Sequence, residues 1–111
     1  MTKFNFHDGK GPVPAHQHSK GGGWVADTAI VDDSVYVGPD ARVFGNARVF
    51  DDACVSGNAL VCDNALVFDD AQVYGDARVY GNVRVYGNAR VSGNAQVSGN
   101  VQVFGNVLLD K

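Results

Sequence analysis

Residues 41–58 read ARVFGN ARVFDD ACVSGN, three consecutive hexads with one pattern. The same period continues in both directions, so 13 hexads follow one another without insertion from Ala29 to Asn106. The third position is Val in all 13 hexads, and the first is Ala in ten of them and Val in three. The fifth and sixth positions are mostly Gly or Asp followed by Asn, Asp or Ser. Internal repetition therefore determines the fold.

The hexad has the period of a short β-strand followed by a bend. Two apolar positions separated by one residue point to the same side of a strand, here inward. Gly, Asp and Asn then favour a tight turn. Repetition of this unit without a hairpin signal predicts an all-β parallel solenoid. The alternative is an array of short hairpins, which seldom keeps a strict six-residue period. An amphipathic helix is excluded because Gly recurs in most hexads and the apolar spacing does not fit 3.6 residues.

The composition agrees with a turn-rich β-protein of one domain. All 12 acidic residues are Asp, and Gly occurs 14 times in 111 residues. A formal net charge of −3 predicts no general attraction to extended nucleic acid or to an anionic membrane. No stretch approaches the ~20 apolar residues of a spanning helix, and no signal-peptide core is present, so we expect a cytoplasmic protein. Cys54 and Cys62 form neither a disulfide scaffold nor a metal-ligand pair.

The hexads resemble those of hexapeptide-repeat proteins, which fold as left-handed parallel β-helices with three hexads in each 18-residue coil. Residues 15–29, AHQHSKGGGWVADTA, joined to GNARV repeats are also similar to small phage and prophage hexapeptide-repeat proteins of unassigned function. One departure is that Gly stands two residues after the inward Val, where the family more often has a small residue directly after it. The resemblance implies a left-handed β-helix at residues 23–111. We expect residues 1–22 to form an irregular, loop-like cap over the open first coil.

Residues 18 apart then lie in columns with the ~4.8 Å spacing of neighbouring strands. The fourth hexad position distinguishes three faces of the solenoid. Its columns are Asp32, Phe50, Phe68, Tyr86 and Phe104 on the first face, Phe44, Cys62, Tyr80 and Ser98 on the second face, and Ser56, Tyr74, Ser92 and Asp110 on the third face. The first face therefore carries a continuous aromatic stripe.

This stripe is too large an apolar patch to remain exposed on a monomer. The resemblance implies a homotrimer, and closed cyclic symmetry would bury the stripe in every subunit. We predict a trimer interface at Phe50, Leu66, Phe68, Tyr86 and Phe104. The alternative is that the rings only stack on one another along the solenoid.

In four hexads Arg stands two residues before an aromatic residue. These pairs are Arg42 with Phe44, Arg48 with Phe50, Arg78 with Tyr80, and Arg84 with Tyr86. Both side chains of a pair project from one face, which places a guanidinium for phosphate beside a ring for base stacking. We predict that a small anionic, nucleotide-like ligand binds between subunits at Arg78, Tyr80, Arg84, Tyr86, His16, His18 and Trp24. Alternatively, the arginines cover the rings and pair with Asp across the trimer.

Aspartates also form columns at one corner of the solenoid. Asp33, Asp51 and Asp69 form one column, and Asp52 and Asp70 form the next. Several carboxylates within two coil spacings suit Ca²⁺, which is the only cofactor that the sequence suggests. The alternatives are a solvated acidic edge and an edge paired with Arg48 of a neighbouring subunit.

The resemblance also suggests two classes of enzyme, and both need features that the hexads lack. Hexapeptide acyltransferases typically use a His near a subunit boundary and often a loop excursion, and γ-class carbonic anhydrases need His ligands on the coils. No hexad contains His, and no coil is interrupted. We therefore expect a non-catalytic trimeric module, encoded by a phage if the second resemblance holds, that binds or sequesters the anionic ligand. The alternatives are an acyltransferase that uses His16 or His18 and a purely structural virion protein.

Overall fold

The computed structural model describes residues 2–6 and 9–110, and within them it contains 17 short strands. The strands are β1 Lys3–Asn5, β2 Pro12–Gln17, β3 Trp24–Ala26, β4 Ile30–Val31, β5 Tyr36–Val37, β6 Arg42–Val43, β7 Arg48–Val49, β8 Cys54–Val55, β9 Leu60–Val61, β10 Leu66–Val67, β11 Gln72–Val73, β12 Arg78–Val79, β13 Arg84–Val85, β14 Arg90–Ser92, β15 Gln96–Val97, β16 Gln102–Val103 and β17 Leu108–Asp110. In this part of the chain, no helix has the length and apolar character needed to cross a membrane.

From β3 onward the chain coils into three parallel sheets, which are the three predicted faces. The first face consists of β4, β7, β10, β13 and β16, the second of β3, β6, β9, β12 and β15, and the third of β5, β8, β11, β14 and β17. Paired residues are 18 apart, since Leu66 pairs with Arg48 on one side and with Arg84 on the other. The predicted β-solenoid with three hexads in each coil is confirmed, and the hairpin array is wrong because these strands pair in parallel.

The first and third hexad positions fill the interior of the solenoid. From Val35 to Val91 every side chain at these positions is at most 2% exposed. Burial decreases in the last coil, where Val101 is 45% exposed. Burial of the inward Ala and Val side chains, together with backbone hydrogen bonds between coils, therefore holds each coil on the next.

The turns at the fifth hexad position require positive φ. At the corner between the second and first faces, Gly81 has φ +76°, and a Cβ there would lie 2.8 Å from the backbone nitrogen of Gly99. Asp63, one coil earlier, adopts φ 59°, and its Oδ2 accepts a hydrogen bond of 3.1 Å from the Gly81 N–H. Gly or Asp at this position thus permits both the bend and the close stacking of successive corners.

The N-terminal segment differs from the loop-like cap that we expected at residues 1–22. It contains β1 and β2, which pair antiparallel with each other, and β2 pairs antiparallel with β3. The hairpin therefore extends the sheet of the second face. Residues 20–23 follow the edge of the third face, where the Gly23 N–H donates to the Val37 carbonyl and the Val37 N–H donates to the Lys20 carbonyl, both at 3.0 Å. The hairpin and residues 20–23 therefore cover the strand edges of the second and third faces at the start of the solenoid.

Candidate assembly and ligand-binding surfaces

The aromatic stripe of the first face is a ladder of nearly parallel rings. The ring centroids lie 4.9 Å apart for Phe50 and Phe68, 4.9 Å for Phe68 and Tyr86, and 5.3 Å for Tyr86 and Phe104, with interplanar angles of 1°, 5° and 10°. The spacing follows that of the strands that carry the rings. The first three rings are half-buried, and Phe104 is 53% exposed. The rings therefore stack within the chain, as the alternative interpretation requires, and still present their outer edges.

Two grooves flank this ladder on the first face. The arginine groove lies on the side where the strands begin and is lined by Asn46, Arg48, Asn64, Leu66, Asn82 and Arg84. The aspartate groove lies where the strands end and is lined by Asp32, Ser34, Asp51, Asp52, Asp69, Asp70, Gly87 and Asn88. Arg48 and Arg84 are exposed, and neither forms an ion pair with a carboxylate of the described residues. The first face is thus apolar in the middle and oppositely charged at its two edges.

Two aspartates of the aspartate groove hydrogen-bond to the backbone of the next coil and so stabilise the solenoid. The Asp51 Oδ2 accepts a hydrogen bond of 3.3 Å from the Asp69 N–H, and the Asp69 Oδ2 accepts one of 3.1 Å from the Gly87 N–H. Asp33 is exposed in the turn before β5. Among residues 2–6 and 9–110, no group of three or more His, Cys or Asp side chains is arranged to hold a metal ion. The geometry of this part of the chain therefore gives the predicted Ca²⁺ site at Asp33, Asp51, Asp52, Asp69 and Asp70 no support.

The N-terminal hairpin covers part of the second face with aromatic contacts. Phe4 stacks on Trp24 at 4.7 Å and Phe6 stacks on Phe44 at 4.8 Å, and Arg42 lies 5.1 Å from the centre of the Phe4 ring. These contacts explain why Phe6 and Phe44 are only 4% and 7% exposed. Trp24, predicted as a ligand residue, is thus packed against the hairpin.

Sequence reasoning missed the role of Phe4 and Phe6. The signal was present as an F-x-F pattern, in which both rings project from one side of a strand. The partners of these rings lie 20 and 38 residues further along the chain, so the pattern by itself did not show which face they cover.

The four repeat residues of the predicted ligand site lie on two faces. Arg78 and Tyr80 belong to the second face, whereas Arg84 and Tyr86 follow the next corner and belong to the first face. Both tyrosines are half-buried and both arginines are exposed, and the Tyr86 hydroxyl donates to the Gln102 Oε1 at 3.2 Å. One chain does not bring the four side chains into a single site. Joining them requires a second subunit.

The two predicted histidines have different surroundings. The His18 Nε2 donates a hydrogen bond of 2.7 Å to the Val35 carbonyl, and the residue is 5% exposed. His18 therefore fastens the N-terminal segment to the first coil. The His16 Nδ1 lies 2.7 Å from the Asp27 Oδ1 in a pair whose side chains are each about half exposed. Of the two, His16 is the one accessible to a ligand.

Comparison with known proteins gives one family match. The model described as YdcK Beta solenoid repeat matches residues 41–57, 71–86 and 83–99, all within the hexads. Neither the curated proteins nor the solved structures give a significant match. The family match and the stacked parallel sheets agree on the same architecture.

Proposed function

We propose that this repeat β-solenoid works without catalysis, as a self-assembling module that binds a small anionic, nucleotide-like ligand between subunits. The first face forms the contact between subunits of a homotrimer. Arg78 and Tyr80 on the second face bind the ligand. Arg84 and Tyr86 share the first face with the aromatic ladder and are assigned to assembly.

The aromatic ladder supports assembly through the first face. Its rings keep exposed edges next to half-buried Leu66. Phe104 at the end of the ladder is 53% exposed, and Ile30 in the first strand of the same face is 55% exposed. A contiguous apolar strip of this kind marks a protein contact surface more often than a solvated one. Cyclic symmetry would cover the strip in every copy.

One observation carries the proposed ligand site. Arg78 is exposed beside half-buried Tyr80 and forms no ion pair with a carboxylate of the described residues. The pair lies one coil beyond Cys62, the last second-face residue that packs against the hairpin cluster, so the hairpin does not cover it. A guanidinium can donate two parallel hydrogen bonds to a phosphate, and a tyrosine ring offers a surface for a base.

The assembly half of the proposal is tested with Phe68→Asp. A carboxylate at the centre of the ladder would be costly to bury, so we expect sedimentation to give a monomer or an aggregate. The matched control is Tyr74→Asp, because Tyr74 has the same hexad position and is also half-buried but lies on the third face. Circular dichroism is used to check that both variants keep the β-solenoid. An unchanged trimer mass for a folded Phe68→Asp variant would exclude the first face as the interface.

The ligand half is tested with nucleoside mono- and triphosphates in a thermal-shift screen, with uncharged nucleosides and inorganic phosphate as controls. For a nucleotide that binds, calorimetry should show Arg78→Ala weakening affinity at least tenfold, about 1.4 kcal/mol, with little change in melting temperature. Arg90→Ala is the matched control, since Arg90 is exposed at the same hexad position but precedes Ser92 instead of a ring. No binding of any nucleotide, or equal effects of the two variants, would leave a structural solenoid as the better explanation.

A further inference from the structure

The charges of the first face are distributed unequally across its width. Arg48 and Arg84 line the groove where the strands begin, and Asp52 and Asp70 line the groove where they end. All four side chains are exposed, and none has a hydrogen bond or ion pair to another described residue. Asp51 and Asp69 differ, since their carboxylates already accept backbone N–H groups.

We infer that the first face docks onto a second copy of this chain whose solenoid axis runs in the same direction, with Arg48 and Arg84 of one copy facing Asp52 and Asp70 of the next. This inference rests on the self-assembly proposed above and specifies its orientation and register. The occupant is a second copy because one face carries both halves of a complementary charge pattern, on either side of an apolar ladder.

Symmetry explains why the axes must be parallel. Rotation about an axis parallel to the solenoid places the arginine groove of one copy opposite the aspartate groove of its neighbour. Rotation about an axis that lies in the plane of the first face and runs along its strands reverses the direction of the solenoid. It places the arginine groove of one copy against the arginine groove of the other. Like charges in contact oppose association, so the charge pattern selects the parallel arrangement.

A closed ring of subunits also fixes which coils of neighbouring copies face each other, because its symmetry includes no shift of one copy along the axis. Arg48 and Asp52 belong to one hexad and therefore lie at the same height in neighbouring copies. Asp70 lies one coil below the level of Arg84, a distance of ~4.8 Å that a long arginine side chain spans. Exposed ion pairs are individually weak, so these pairs select the orientation while burial of the ladder drives association.

The test is charge reversal followed by sedimentation of the full chain. The double variant Asp52→Arg/Asp70→Arg places arginines opposite Arg48 and Arg84 of the neighbouring copy, and we expect its association to weaken at least tenfold. Adding Arg48→Asp and Arg84→Asp makes the four facing positions complementary again and should restore association to near the parent level. Asp40→Arg, a reversal at the exposed corner between the third and second faces, should have no such effect. Circular dichroism checks folding, which reversals at exposed positions should preserve.

The possible results separate this inference from the proposed function. A monomeric parent would overturn both. If Phe68→Asp abolishes assembly while the double reversal leaves association unchanged, or if the fourfold variant fails to recover, assembly through the first face stands and the charge register is wrong. Recovery in the fourfold variant, together with weaker association of the parent near 1 M salt, where the Debye length is about 3 Å, supports the register.

Discussion

The first and second faces carry aromatic residues at the same hexad position but bury them differently. On the second face Phe44 is 7% exposed because Phe6 of the N-terminal hairpin stacks on it. On the first face Phe50 occupies the equivalent position in the next hexad, stacks on Phe68 alone among the described residues, and is half-buried. The same repeat position therefore acquires its role from what covers it.

This difference shows how a regular solenoid obtains distinct surfaces. The repeats produce three faces with the same backbone, and the described part of the non-repeating hairpin covers part of the second face. Among residues 2–6 and 9–110, none covers the ladder or the two charged grooves of the first face. A surface for a partner thus arises where the chain does not cover its own aromatic residues.

The largest effect is expected where the two faces share one core. Val67 behind the first face and Val61 behind the second are both fully buried, so Val67→Asp and Val61→Asp should each abolish folding. Val67→Ala should cost on the order of 1 to 3 kcal/mol through lost burial and a cavity. Circular dichroism and urea denaturation measure these effects. Parent-like melting of both Asp variants would contradict the inward assignment of the third hexad position.

A smaller effect should distinguish the outer surfaces of the faces. Phe44→Ala removes a buried ring and opens the contact with the hairpin, so we expect a loss of about 3 kcal/mol in unfolding free energy. Phe50→Ala removes a half-buried ring and should cost about 1 kcal/mol. Urea denaturation compares the two at a protein concentration low enough for sedimentation to show a monomer, so that assembly does not contribute to either loss. Equal losses would mean that the hairpin contributes little to the burial of Phe44, and the contrast between the faces would fail.

The smallest effect concerns the corner that joins the second face to the first. Gly81 and Gly99 both have positive φ, but a Cβ at Gly81 would meet the backbone nitrogen of Gly99 at 2.8 Å, whereas a Cβ at Gly99 has open space. Gly81→Ala should therefore cost about 2 kcal/mol and Gly99→Ala about 1 kcal/mol. Thermal denaturation measures the difference. If the two variants were equally stable, close stacking would not limit the residue type at this corner.

The hexads predict the solenoid, its inward positions and the membership of each face, because a strict six-residue period leaves few alternatives. The cap was less predictable. Phe4 and Phe6 reach Trp24 and Phe44 through an antiparallel hairpin, a non-local contact that periodicity does not encode. The columns of the hexads did place Arg78 and Arg84 on different faces, as the structure has them, but whether a second subunit brings them together depends on assembly, which the repeat of one chain does not encode.

The 18-residue spacing between paired strands has a consequence for how such a chain tolerates insertion and deletion. Removal of a whole coil leaves every later residue on its original face. Removal of the single hexad at residues 71–76 would keep the inward Ala and Val pattern, yet every later hexad would move by one face. Ser92 would then follow Phe68 in the ladder, and Tyr86 would move to the second face. The core therefore tolerates length changes in units of six residues, whereas surface identity tolerates them only in units of eighteen.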